Sequence, residues 1–205
     1  MASNKPEITW THAGLVRILA SIPHSTNSLL DVGCGRGIIG ALCRIYRRLG
    51  KSVAVDVYVP YLEFCLRNRT YDDVIRADIE QSGLPFRSGA FDVATCIEVI
   101  EHLEHERGRH LLDELERVAT SVVLTTPAKC FEQESLDKNP WQRHKSVWKV
   151  RDFEQRGYVV HGIEGLSAFA NSSSLSYVTT PLTWLLPQLS SAYLCVKRQN
   201  LETND

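Results

Sequence analysis

Residues 28–40 read Ser28-Leu-Leu-Asp-Val-Gly-Cys-Gly-Arg-Gly-Ile-Ile-Gly40. The apolar residues before the glycines predict a buried strand, and those after them predict a helix that begins at once. Gly33, Gly35 and Gly37 can adopt positive φ angles and carry no Cβ atom, so backbone N–H groups can approach a ligand closely. The stretch therefore predicts a strand, a turn and a helix that present a small-molecule site.

Acidic residues lie at the ends of three successive predicted strands. Asp31 lies inside the end of the first, Asp56 ends the run Val53-Ala-Val-Asp56, and Asp78 ends the run Val74-Ile-Arg-Ala-Asp78. Open α/β sheets bind ligands at the carboxyl ends of their strands. We therefore expect the three carboxylates to lie at one edge of a sheet, beside the glycine turn. The alternative is a helix-capping glycine turn with three solvated acids.

The glycine spacing distinguishes two classes of cofactor domain. A dinucleotide-binding domain carries G-x-G-x-x-G, whereas this chain reads Gly33-Cys-Gly-Arg-Gly37, with an acid two residues before the first glycine. The order Asp-x-Gly-x-Gly-x-Gly, Val-Asp56, Ala-Asp78 and Phe91-Asp92-Val93 resembles the class I S-adenosylmethionine-dependent methyltransferases. This resemblance covers nearly the whole chain, and it implies that S-adenosylmethionine is the cofactor.

The resemblance also implies a role for each matching residue. The methionine part of the cofactor would lie against Asp31, Gly33 and Gly35. The two ribose hydroxyls would donate to Asp56. The adenine amino group would meet Asp78, with Ile79 against the ring.

Composition limits the other possibilities. The chain has 205 residues, which predicts one domain over 1–205, and its net charge of −1 argues against a protein that coats nucleic acid generally. Cysteines stand at positions 34, 43, 65, 96, 130 and 195 without a C-x-x-C pair, and we expect them to be reduced. The start has no apolar signal core, and no transmembrane segment is predicted. We expect a soluble, cytoplasmic protein.

Strand and helix patterns alternate along the chain. Strands are predicted at 29–32, 51–56, 73–77, 91–97, 122–126, 158–163 and 192–197, and helices at 11–20, 37–49, 60–68, after 97 and at 151–156. This alternation predicts an α/β fold with helices on both faces of a parallel sheet. The resemblance adds a final antiparallel strand, which implies a Rossmann-like, mostly parallel seven-stranded sheet of order 3-2-1-4-5-7-6. Residues 1–25 are interpreted as an N-terminal helical flank and 128–147 as a lid over the acceptor site.

A second constellation follows the fourth strand. Glu98, Glu101 and His102 stand at i, i+3 and i+4, which predicts that they share one helix face. The irregular segment far along the chain adds His144. Carboxylates and imidazoles together predict a divalent-cation site for Mg²⁺, Mn²⁺ or another metal. Without a metal, His102 is the candidate general base, and Glu98 lines the pocket beside it.

The pattern Glu-Val-Ile-Glu-His, then Thr126-Pro127, then His-Lys-x-x-Trp148 is similar to the metal-dependent methyltransferases that modify the terminal 2′-hydroxyl of small RNAs. That resemblance implies a metal quartet of Glu98, Glu101, His102 and His144, and RNA as an acceptor. The chain also resembles uncharacterised microbial methyltransferases and the ubiquinone-type O-methyltransferases. We therefore predict methyl transfer to a hydroxyl of a small-molecule or other acceptor, with an RNA 2′-O-methyltransferase and a non-catalytic cofactor-binding scaffold as the alternatives.

The segment 176–187 is unusually apolar for a late connection and contains Tyr177, Trp184 and four leucine or valine residues. We interpret it mainly as packing beneath the sheet. The alternative is an exposed patch that contacts a membrane surface or a second copy in a homodimer.

Overall fold

The computed structural model describes residues 12–129, 138–169 and 173–199. Seven strands form one sheet of order β3-β2-β1-β4-β5-β7-β6. The first five strands are parallel to one another, and β7 is antiparallel to both β5 and β6. The predicted fold class and strand order are confirmed.

The strands alternate with helices in chain order. The strands are β1 (Ser28–Val32), β2 (Lys51–Asp56), β3 (Asp73–Arg76), β4 (Phe91–Ile97), β5 (Ala119–Pro127), β6 (Val159–Gly162) and β7 (Ala192–Arg198). The helices are α1 (His12–Ser21), α2 (Ile38–Tyr46), α3 (Val59–Asn68), α4 (His105–Val118), α5 (Val150–Glu154) and α6 (Ser173–Leu185). Short 3-10 turns cover Ile100–His102, Pro140–Gln142, Ser167–Phe169 and Pro187–Leu189. None of the described helices combines the length and the apolar character needed to cross a bilayer.

Two apolar cores cover the two faces of the sheet. Successive residues of a strand point to opposite faces, so Leu29 and Leu30 of β1 enter different clusters. The cluster around Leu30 includes the buried faces of α4 and α5, whereas the cluster around Leu29 includes α1 and α2. Because both faces are covered, the central strands are mostly apolar, as parallel strands usually are.

Trp148, which directly follows the predicted lid of residues 128–147, is a core residue. Its side chain is 1% exposed and packs on Phe153, with ring centroids 5.5 Å apart. Gly108 of α4 lies under the indole, where a Cβ would stand 2.4 Å from the ring. A large flat ring at this position fills the space between α4 and α5. Residues 130–137 of the proposed lid, which include Cys130, lie outside the described residues.

Helix α6 buries polar side chains and exposes apolar ones, which is the reverse of the packing expected for the segment 176–187. Thr180 and Thr183 are buried, whereas Val178 is 72% exposed and Leu185 is 78% exposed. The buried hydroxyls donate to carbonyl oxygens of their own helix, which satisfies them inside the protein. The expectation that this segment packs its apolar side chains beneath the sheet is therefore wrong for most of them, and the exposed patch is the interpretation that fits. Whether a second copy binds there stays a prediction.

Helix α2 also ends earlier than predicted, at Tyr46 instead of residue 49. The Arg47 guanidinium donates to the carbonyl oxygens of Leu19 and Ile22 beside α1, so the chain leaves the helix to make these contacts. Arg47 and Arg48 therefore do not belong to the last helical turn.

Candidate active site

The glycine turn joins β1 to α2 at the carboxyl edge of the sheet. Gly33, Gly35 and Gly37 have φ angles of +70°, +52° and +76°, as the sequence predicted. The N–H groups of Gly33 and Cys34 both donate to the carbonyl oxygen of Val55, at 2.7 and 3.2 Å, which fixes the turn to β2. A Cβ added at Gly35 would meet no protein atom within 4 Å. The turn therefore presents open space on its outer side.

Asp31 is held inside the sheet by two hydroxyl groups. Thr95 of β4 donates to one carboxylate oxygen at 2.7 Å, and Tyr71 donates to the other. Tyr71 in turn accepts the Gly40 N–H at 3.1 Å, so this chain of bonds joins Asp31 to α2. Burial raises the pKa of Asp31 to about 6, against the opposing effect of the two hydroxyl donors. Tyr71 and Thr95 carry no motif, so the sequence could not identify them.

Asp56 ends β2 and faces the glycine turn. One carboxylate oxygen accepts the Gly35 N–H at 3.0 Å, and the other accepts the Tyr58 N–H at 2.8 Å. Burial raises the pKa of Asp56, although these amide bonds act in the opposite direction. Each carboxylate oxygen has a second lone pair, so the group can still accept ribose hydroxyls.

Asp78 follows β3 at the same edge. Its carboxylate accepts the Glu80 N–H at 3.0 Å and the Gln81 side-chain amide at 2.9 Å. Ile79 packs against the larger core. We call Asp31, Gly33, Gly35, Asp56, Asp78 and Ile79 the cofactor half-site, since these are the residues for which the sequence predicts cofactor contact.

The residues after β4 do not form the continuous helix that the sequence predicted. Glu98 has a φ of +55°, only Ile100–His102 form a 3-10 turn, and α4 begins at His105. The chain must turn out of the sheet at this point, so Glu98, Glu101 and His102 do not share one helix face. Val99 packs on the glycine turn instead, because a Cβ at Gly33 would lie 2.3 Å from its side chain.

The distant segment that carries His144 is attached directly to this turn. The N–H groups of Lys145 and Ser146 donate to the carbonyl oxygen of Glu101 at 2.8 and 3.1 Å. The Ser146 hydroxyl accepts the Trp148 indole N–H at 2.9 Å, which anchors the segment in the core. The imidazole rings of His102 and His144 consequently lie 5.0 Å apart between centroids.

Three of the four predicted metal ligands meet in one cluster. Ligand atoms of Glu101, His102 and His144 all lie within 4.8 Å of one another. Glu98 lies outside that group, although its charge still acts on Glu101. Thr126 donates to Glu101 Oε2 at 3.1 Å, whereas Glu101 Oε1 and His102 Nδ1 are buried with no hydrogen-bond partner among the described residues. Buried ligand atoms without partners, on residues that cluster in this way, fit a bound cation. We call Glu98, Glu101, His102 and His144 the acceptor half-site.

Burial shifts the protonation of this cluster strongly. It raises the pKa of Glu101 well above its usual range, an effect to which the Glu98 charge adds. Burial also raises the pKa of Glu98, and the charge of Glu164, which follows β6, raises it further. The sequence alone did not predict that Glu164 acts on Glu98. The same burial lowers the pKa of His102 to about 4 and lowers that of His144. Both imidazoles are therefore neutral at pH 7, which is the form that binds metals.

Comparison with known proteins shows similarity to methyltransferases. Residues 30–121 match the family described as a methyltransferase domain. The chain is 40% identical over 91 residues to the mitochondrial ubiquinone biosynthesis O-methyltransferase of Schizosaccharomyces pombe. The matched segment covers 40% of this chain and 31% of that protein. It is 34% identical over 94 residues to a probable 18S rRNA (guanine-N7)-methyltransferase of Dictyostelium discoideum, and this segment covers 45% of this chain and 32% of that protein. The matched segments thus span about a third of these two relatives.

Solved structures extend the similarity to nearly the whole chain. A methyltransferase from Archaeoglobus fulgidus matches with a TM-score of 0.60 and 20% identity, covering 90% of this chain and 92% of that one. The methyltransferase domain of a bacterial CtHen1 protein matches with a TM-score of 0.56 and 22% identity, covering 90% and 95%. At these identities the likeness shows the fold. It is the fold of an S-adenosylmethionine-dependent methyltransferase, and residues 30–121 of the chain match the methyltransferase-domain family.

Proposed function

We propose that this chain transfers the methyl group of S-adenosylmethionine to a hydroxyl oxygen of its acceptor. The observation that carries the proposal is the cluster of Glu101, His102 and His144 next to the glycine turn, with two buried ligand atoms that have no partner in the part of the chain that the structure describes. Val99 joins the two half-sites because it packs on Gly33 and precedes the 3-10 turn. A hydroxyl held at the cluster would consequently lie near the transferable methyl.

The three clustered residues fit a divalent cation in their donor set. Carboxylate oxygen and neutral imidazole nitrogen suit Mn²⁺, Mg²⁺ or a later transition metal. When bound, such an ion would lower the pKa of the acceptor hydroxyl. The protein residues orient the acceptor and keep the imidazoles neutral. His102 acting alone as general base is the less favoured route, because a pKa of about 4 makes it a weak base near neutrality.

The acceptor could be a small molecule or the terminal ribose of an RNA, and both offer the hydroxyl that this chemistry needs. The fission yeast relative is named as an O-methyltransferase of ubiquinone biosynthesis, and a solved neighbour as a small-RNA methyltransferase. The clustering of Glu101 with His144 supports the metal-dependent form of either reaction. A scaffold that binds the cofactor without turnover is the contrasting proposal.

The test begins with calorimetric titration of S-adenosylhomocysteine, where absence of binding would favour the scaffold. Transfer of a tritiated methyl group into RNA, protein, lipid and small-molecule fractions of a cell extract then identifies the acceptor class. We expect incorporation to require Mn²⁺ or a similar ion and to stop in EDTA. Full activity in EDTA would refute the metal and favour His102 alone.

Variants locate the metal effect. We expect His144→Ala to lose more than about 100-fold in turnover and to lose Mn²⁺ binding, while its affinity for S-adenosylhomocysteine changes less than about twofold. The matched control is His110→Ala, which removes an exposed imidazole from α4 outside the cluster. Equal losses in both variants would contradict the assignment.

A further inference from the structure

A cleft of about 400 Å³ opens beside the cofactor half-site, between the glycine turn and the start of α3. The residues that line it are Arg36, Tyr58, Pro60, Tyr61, Phe64, Arg67 and Lys138. It adjoins Asp56 directly, because the Tyr58 N–H donates to that carboxylate. A ligand in the cleft would therefore lie next to the predicted ribose position.

Aromatic side chains form the walls of this cleft in fixed orientations. The ring of Tyr58 meets Tyr61 edge-on, with centroids 4.9 Å apart, and it meets Trp141 at 6.3 Å. Gln142 donates to the Tyr61 hydroxyl at 3.0 Å, which ties the 3-10 turn to α3. Trp141 remains 41% exposed. Tyr58 lines the cleft and is half-buried, whereas Trp141 lies against Tyr58 and is not among the lining residues. These two adjacent rings offer a stacking surface for a planar ligand.

The charged side chains that line the cleft are cations, although the Asp56 carboxylate adjoins it. Three cations line it, and among the described residues no carboxylate does so. The Arg36 guanidinium lies over the Phe64 ring, 5.9 Å from its centroid. Arg67 and Lys138 are exposed, one on the outer face of α3 and the other beside the 3-10 turn. For a chain of net charge −1, such a concentration of cations indicates an anionic ligand, and guanidinium and ammonium groups suit phosphate.

We propose that this cleft binds a nucleoside phosphate, with the base on Tyr58 and Trp141 and the phosphate near Arg67 and Lys138. The size of the cleft falls within the range of small-molecule pockets. The ligand is either a free nucleotide or the terminal unit of a single-stranded RNA, since both present a phosphate beside a planar ring. The inference rests on the proposed function in one respect, because it takes this ligand to be part of the methyl acceptor.

The test uses calorimetric titration of uridine 5′-monophosphate, uridine, inorganic phosphate and a six-nucleotide single-stranded RNA into the full chain saturated with S-adenosylhomocysteine. We expect the monophosphate to bind at least about tenfold more tightly than uridine or phosphate alone. If the RNA binds more tightly than the monophosphate, the ligand is the terminal unit of a strand. If the RNA and the monophosphate bind with equal affinity, the ligand is the free nucleotide. Absence of binding by both would overturn the proposal.

A pair of charge-reversal variants locates the binding. Arg67→Glu with Lys138→Glu should weaken nucleotide binding at least tenfold and should leave the affinity for S-adenosylhomocysteine unchanged. The control combines Arg48→Glu and Arg87→Glu, which reverse two exposed cations at the opposite edge of the sheet, and it should change binding less than twofold. Equal effects of the two variants would overturn the proposal.

Two further measurements separate this cleft from the cofactor site. Competition between the monophosphate and S-adenosylhomocysteine would show that the cleft is part of the cofactor pocket and would overturn the proposal. If the wild-type chain does not bind S-adenosylhomocysteine at all, the proposed function fails, and the nucleotide titration without it still decides the inference on the cleft. Circular dichroism of each variant confirms that the fold is retained.

Discussion

The two halves of the site satisfy their polar atoms in different ways. In the cofactor half-site, both carboxylate oxygens of Asp31 and of Asp56 accept hydrogen bonds from the chain itself. In the acceptor half-site, Glu101 Oε1 and His102 Nδ1 are buried without a partner among the described residues. The carboxylates of the cofactor half-site therefore have partners in the protein alone, whereas the acceptor half-site contains two buried atoms without one among the described residues. Removing a side chain that accepts these bonds in the cofactor half-site should lower the free energy of unfolding. Removing an unpartnered polar side chain from the acceptor half-site should raise it.

The largest effect is expected at Gly35, where the cofactor half-site faces open space. Gly35→Val would place a β-branched side chain on the ligand side of the turn at a φ of +52°. We expect the dissociation constant for S-adenosylhomocysteine to rise more than about 100-fold, or about 3 kcal/mol, by calorimetry. Gly89→Val is the matched control, since Gly89 also has a positive φ and open space but precedes β4 at the other edge. A similar loss of affinity in both variants would mean that backbone strain is the cause.

The buried charge of Asp31 predicts a pH dependence of stability. Its folded pKa of about 6 lies above the unfolded value of 3.8, so the folded state holds the proton more tightly. The contribution of Asp31 is therefore fully present below pH 4 and is lost as the pH rises through 6. This loss amounts to about 3 kcal/mol in the free energy of unfolding.

Urea unfolding of the wild type and of Asp31→Asn between pH 4 and 7 measures this difference, and the variant should lose less stability. Asp92→Asn tests the sign. Burial raises the pKa of Asp92, but hydrogen bonds from the backbone N–H groups of Asn27 and Ser28 outweigh it and lower the pKa. Asp92→Asn should therefore be less stable than the wild type near neutral pH, and this difference should shrink as the pH falls. Parallel curves for the wild type and Asp31→Asn would contradict the buried-charge account.

An intermediate effect is expected at Asp56. We expect Asp56→Ala to weaken binding of S-adenosylhomocysteine by about 1.5 to 3 kcal/mol, because a carboxylate accepting two hydroxyls makes charge-assisted bonds. Calorimetric titration measures it. Asp73→Ala removes an equal charge from the exposed start of β3 and should leave binding unchanged. An unaltered dissociation constant for Asp56→Ala would remove this residue from the site.

The smallest effect has the opposite sign and tests the comparison most directly. Glu101→Gln should raise the free energy of unfolding by about 1 kcal/mol at pH 8 in EDTA, because it replaces a carboxyl group whose ionisation is disfavoured in the folded state by burial and by the Glu98 charge. The same variant should not transfer methyl groups. Glu114→Gln is the control, since Glu114 accepts bonds from Arg117 and the Leu84 N–H, and its loss should destabilise the protein. Destabilisation by Glu101→Gln would show that this half is also complete without a ligand.

Prediction from sequence succeeded where the determining contacts are close in the chain. The glycine turn and the strand-end acids follow directly from residues 28–40 and from short apolar runs, and their positive φ angles are confirmed. Prediction was weaker after β4, where helical spacing implied a continuous helix that the turn out of the sheet prevents. Trp148 and α6 show the same limit, because burial depends on neighbours such as Gly108 that lie far away in sequence.

The sequence by itself determined the alternation of strands and helices and the positive φ angles of the glycine turn, because strand periodicity and glycine conformation are local properties. The family resemblance supplied the order of the strands, and the edge at which the cofactor binds stays a prediction. Only the tertiary structure decided which side chains meet. It brought His144 to Glu101 through two backbone bonds, placed Tyr71 between Asp31 and Gly40, and added the charge of Glu164 to that of Glu98. These contacts depend on how distant segments pack, and packing is a property of the folded chain as a whole.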